Sequence, residues 1–109
     1  MAEHLPEQDW KRWRVLAPVL LNRFCESAVA NATKYAERES SGHEKFLALD
    51  RFVAECNENI SIVFDDSRRS RALMQIVAAV VRGIMSETEL SSFSEETQVR
   101  VRRVAAFGG

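Results

Sequence analysis

With 109 residues, 46% of them hydrophobic and 28% charged, the chain has the size and composition of one globular helical or mixed domain. A net charge of −1, four glycines and two prolines exclude a disordered or collagen-like chain and offer no strongly basic surface to nucleic acid. Turn residues are too sparse for an all-β fold, which needs one about every eight to twelve positions.

Pro6 precedes a long stretch in which Trp10, Trp13, Ala17, Leu21, Phe24, Ala28, Ala32 and Tyr35 recur at steps of three and four, the spacing of one helical face. Pro18 lacks an amide hydrogen and disfavours helical geometry at Ala17, so this spacing predicts a first helix kinked or broken near Pro18. Lys11, Arg12 and Arg14 ahead of the apolar run Val15 to Leu21 imitate an export signal. The run is too short for that, and Pro18, Asn22, Arg23 and Glu26 interrupt it. We therefore expect no membrane segment, a cytoplasmic location, and no glycan at Asn31 or Asn59. The stretch closes in the polar turn Ser40-Ser41-Gly42, where Gly42 suits the left-handed conformation that stops helices.

In the next segment Phe46, Leu49, Val53, Cys56, Ile60 and Val63 alternate steps of three and four. An amphipathic helix burying these six is expected, with Glu44, Lys45, Asp50, Arg51, Glu55 and Glu58 facing water. The helical register outweighs the strand propensity of residues 60–64. Asp65, Asp66 and Ser67 are capping candidates for a third helix carrying Leu73, Ile76, Val77, Val80, Val81 and Ile84, apolar on most sides and hence central. Gly83 and Ser86 end it. Ser86-Glu87-Thr88-Glu89 matches a capping box and opens a short helix through Phe93. Ser94, Glu95 and Glu96 repeat that logic for a last helix with Arg100, Arg102 and Arg103 near its carboxyl end. The fold class that follows is all-α: a compact bundle of four to five helices in a single domain spanning 1–109.

Motifs that carry chemistry are missing. Cys25 and Cys56 form no zinc or disulfide framework, and their burial as reduced thiols is expected. Cys56 and His43 are the one conceivable nucleophile and base, but they stand thirteen residues apart on one helix, about 20 Å along its axis. His4 falls in a terminus expected to fray. There is no glycine-rich phosphate loop and no metal-ligand spacing, so no cofactor, no metal and no catalytic residue is assigned.

Charge comes in blocks: −4 over residues 40–66, +4 over 67–86, −4 over 87–98 and +3 over 99–109. Mutual satisfaction between packed helices is the simplest outcome. Arg68, Arg69 and Arg71 nevertheless fall at the start of the third helix, where the dipole disfavours cations. They either meet the carboxylates of Asp65 and Asp66 or form an anion site for a phosphate, a nucleic-acid backbone or an acidic partner. Residues 72–93 have the helix, Gly83, helix order of a helix-turn-helix, but the second helix carries Glu87 and Glu89 and no cation, which argues against nucleic acid. Trp10 and Trp13 either cap the core or form an aromatic patch for a protein partner or a second copy. The leading functional expectation is a non-catalytic protein-interaction or regulatory module. An anion site at the three arginines and an enzyme without a legible motif are the alternatives.

Overall fold

A computed structural model describes residues 4–108, and the described residues form five helices: α1 (Glu7–Ala36), α2 (Gly42–Phe64), α3 (Arg69–Val81), α4 (Glu87–Leu90) and α5 (Glu95–Gly108). No strand occurs among the described residues, and residues 60–64 are helical. The all-α bundle expected from the spacing is therefore what the chain forms.

Each boundary has a local cause. α1 begins behind Pro6, whose carbonyl accepts from the amides of Asp9 and Trp10, both at 3.0 Å. It runs without a break through Pro18, which stands inside the helix. The two-helix outcome near Pro18 is thus replaced by one 30-residue helix. Pro18 cannot bond the Arg14 carbonyl and its ring crowds it, but the flanking turns carry the helix across. α1 stops at Ala36, ahead of the expected turn, and Gly42 opens α2 instead of closing α1. Ser41 caps α2 through a complete capping box with Glu44, whose side chain returns 3.0 Å to the Ser41 amide. That box was legible as Ser41-Gly42-His43-Glu44.

α3 ends in a Schellman arrangement. Gly83, at φ 72°, takes the left-handed turn, and the Ile84 amide reaches back 2.8 Å to the Ala79 carbonyl. The expected box at Ser86 and Glu89 is present and opens α4, which is a single turn. α5 runs past its arginines to Gly108, so Arg100, Arg102 and Arg103 lie within the helix and not in its last turn.

The core gathers at one end. Leu5, Trp13, Leu16 and Leu20 meet Val63, Ala72, Ile76, Ala79, Leu90, Phe93 and Val101, with α3 packed against α1, α2 and α5. The central placement expected of α3 holds. Leu5 is fully buried, so the chain is anchored one residue past His4, where fraying was expected.

The other end is thin. Between Leu20 and Val63 no described residue is fully buried. Residues 22–36 of α1 and 42–59 of α2 form an antiparallel two-helix arm, giving the molecule extents of 56 × 27 × 24 Å. Its radius of gyration, 16.4 Å, exceeds the roughly 13 Å of a rounded domain this long. Within the arm the seam of α2 uses Lys45, Leu49, Phe52, Cys56 and Asn59, with the Tyr35 and Phe52 rings 5.2 Å apart. Phe46 and Val53, expected inside, are 65% and 44% exposed. The apolar stripe and the packing seam run side by side and coincide only near Leu49, Cys56, Ile60 and Val63, because a single neighbouring helix covers one flank of the stripe.

Candidate functional site

The three arginines at the start of α3 do not converge. Asp66 takes Arg68 in a bidentate pair, the closest approach being 2.6 Å, and also accepts from the Arg68 amide at 3.0 Å. Arg71 stands 3.9 Å from the same carboxylate. Hydrogen bonds from the Arg68 side chain, then from its amide, hold the Asp66 carboxyl at about 2. Arg69 points the other way and donates twice to the Leu5 carbonyl, at 3.0 and 2.6 Å. The dipole conflict is thus answered inside the chain: Asp66 supplies negative charge, and Arg69 staples the segment before α1. Asp66 does not act as the helix cap, since the N-cap is Arg68 without a side-chain bond.

Other charge blocks meet across helices in the same manner. Arg23 grips Glu89 at 2.9 and 2.8 Å and the Ile84 carbonyl at 2.7 Å, tying α1 to the α3–α4 connection. The Arg23 hydrogen bond holds the Glu89 carboxyl at about 2. Arg102 of α5 meets Glu87 of α4 at 2.8 Å.

Trp10 and Trp13 have different surroundings. Trp13 is 3% exposed, stacks on Phe64 at 6.4 Å with the rings nearly parallel, and donates to Gln75 at 3.3 Å. Its role in this chain is core packing. Trp10 is half-buried beneath the Arg14 guanidinium, 5.5 Å from the ring centre. Both border a cleft of about 260 Å³ between α1 and the end of α2, lined chiefly by Ala17, Pro18, Leu21, Val63 and Phe64, with Arg14, Asp66, Ser67 and Gln75 as its polar members. A second apolar groove lies between α2, α3 and α5 at Ile62, Met74, Val81 and Val104, with Arg71 and Arg82 along it.

His43 is exposed in the first turn of α2 and Cys56 lies half-buried in the arm's seam. Burial pushes the Cys56 thiol up, and the neighbouring Glu55 and Cys25 push it further, the reverse of what a nucleophilic thiolate needs. Among the described residues no cluster of three His, Cys, Asp or Glu side chains could hold a metal, and no helix is long and apolar enough to cross a membrane.

One buried polar site escaped the sequence. Asp9, 2% exposed on α1, accepts from the Ser94 amide at 2.9 Å, from the Ser94 hydroxyl at 2.5 Å and from the Thr97 hydroxyl at 2.5 Å. Burial alone would raise its carboxyl; the bonds from Ser94 and Thr97 outweigh that and hold it below the ordinary value. Ser94 opens α5, but its third helical position is Thr97 and carries no carboxylate. Asp9 supplies from another helix the acid that a capping box keeps in sequence. The only local signal was a Ser with no Glu or Gln three residues on.

The arm carries an uncovered apolar face. On α2, Phe46, Val53 and Ile60 recur at seven-residue steps and lead to Phe64 at the cleft; on α1, Pro18 and Leu21 at the cleft are followed by Cys25, Val29 and Ala32. The opposite flank carries Ser27, Asn31, Glu55 and Asn59 around the seam residues Phe24, Ala28, Phe52 and Cys56. The hairpin is therefore amphipathic as a unit, with Val29 68% exposed near the middle of its apolar face. No protein-family model, no curated protein and no solved structure matches the chain.

Proposed function

We propose that this protein is a non-catalytic interaction module whose working surface is the apolar flank of the α1–α2 arm. The observation that carries this reading is the offset between stripe and seam in α2, which leaves Phe46 and Val53 outside a bundle whose own core is complete without them. Exposed apolar area of this kind costs solubility and gains nothing for the isolated fold, so it marks a contact surface. The engagement of Arg68 and Arg69 within the chain removes the main support for an anion site.

Site-specific photocrosslinking in cells tests the reading. A photoreactive side chain placed at Val53 should give adducts with a polypeptide, whereas the same group at Glu55 on the polar flank should give few. Equal yields at the two positions, or none at either, would contradict it.

A further inference from the structure

Resting on the interaction reading above, we infer that the arm's apolar flank is covered by the same flank of a second copy, the two arms lying antiparallel about a twofold axis at Val29. The pieces of the arm match themselves end to end. Its tip presents Phe46, which projects into water, and its root holds the cleft between Trp10, Pro18 and Phe64. Phe46 and Phe64 are eighteen residues apart on α2, about 27 Å at the helical rise. Turning one arm over about the midpoint brings each Phe46 to the other copy's cleft, which at about 260 Å³ has room for a phenyl ring.

That midpoint is Glu55, which lines one pocket with Ala28 and Asn31 and is therefore level with Val29 on α1. The most exposed apolar side chain of the arm thus falls on the axis, where each copy meets its own residue, as an isologous contact requires. Charge permits this pairing. The tip is balanced, with Glu37, Glu39 and Glu44 against Lys34, Arg38 and Lys45, so it meets the Arg14 and Asp66 of the cleft without net repulsion. The stripe between them is uncharged, with Asp50 at its outer edge. In this register the two copies of Asp50 stand about 15 Å apart by helical rise, beyond the screening length of about 8 to 10 Å.

The area is adequate as well. A face about 27 Å long and two helices, roughly 20 Å, wide covers on the order of 500 Å² per copy, or about 1,000 Å² in total, the threshold of a specific interface. A free protein partner of unrelated sequence would need to supply its own ring for the cleft and its own acids for Arg14; the second copy brings both on the same arm.

Sedimentation equilibrium on the purified full chain, from micromolar to millimolar concentration, tests the assignment. The mass should approach twice the 12.4 kDa of one chain. Phe46→Lys should weaken self-association by about thirtyfold or more, as loss of an aromatic anchor seated in a pocket does, while Met74→Lys in the other groove should leave it unchanged. Phe46 is mostly exposed, so circular dichroism should show an intact fold in the variant. In a Cys25→Ser, Cys56→Ser background, Val29→Cys should give a covalent dimer with oxidised glutathione. A single-chain mass throughout, a dimer indifferent to Phe46→Lys, or failure of Val29→Cys to cross-link would overturn the twofold arrangement. A monomer that still gives Val53-specific adducts with another polypeptide in cells would sink the second copy as occupant and leave the interaction reading standing. A monomer with no such adducts would remove both.

Discussion

Asp9→Ala should lower the free energy of unfolding by about 3 kcal/mol, a value at the upper end for a single polar substitution. The loss has two parts. Three hydrogen bonds to a charged acceptor disappear, and the Thr97 hydroxyl is left without that partner where water cannot replace it, Thr97 being fully buried. Asp9→Asn should cost less, about 1 to 2 kcal/mol, because an amide oxygen still accepts from one of these donors. Acid adds a check on the same group. Its carboxyl is held below the ordinary value of 3.8, so the stabilisation is complete above that pH and declines as pH falls beneath it. Urea titrations of the parent and Asp9→Ala chains should therefore converge at low pH, and a neutral effect at pH 7 would refute the capping role.

Ile76→Ala should cost about 3 to 4 kcal/mol, since a fully buried side chain on the central helix leaves a cavity that its three neighbouring helices cannot close. The same truncation at Val53, on the open flank of the arm, should cost well under about 1 kcal/mol in dilute solution, because little of that side chain is removed from water on folding. Both variants are read by denaturant midpoint at low protein concentration. Equal costs at the two positions would mean that the arm is packed as tightly as the base, contrary to the geometry.

Helical periodicity revealed the elements and not what covers them. The spacing of Phe46, Leu49, Val53, Cys56, Ile60 and Val63 identified α2 correctly, yet periodicity locates an apolar stripe without saying how many neighbours it meets. The spacing predicts burial for all six, and only Val63 is fully enclosed. Caps were more legible, because their chemistry is local: Ser86 with Glu89 closes as its spacing requires, and Ser41 with Glu44 does too. Asp9 was not legible, since its partners lie 85 and 88 positions away and only the fold brings them together. Arg69 is similar. Its charge drew attention to the start of α3, but the carbonyl it holds, that of Leu5, has no signature in sequence. The continuity of α1 through Pro18 shows the limit of a local rule: the cost of one missing bond is smaller than the gain from Trp13, Leu16 and Leu20 packing on a single rigid helix.

The claim on which the account turns is that this protein has a self-sufficient core at one end and an arm at the other whose apolar flank awaits cover. Native-state hydrogen exchange in dilute solution reads that division directly. Amides of residues 25–36 and 44–56 should open at a much lower free energy than those of Ile76 to Ala79, which should exchange only on global unfolding. Protection in the arm equal to that of α3 in dilute solution would contradict it.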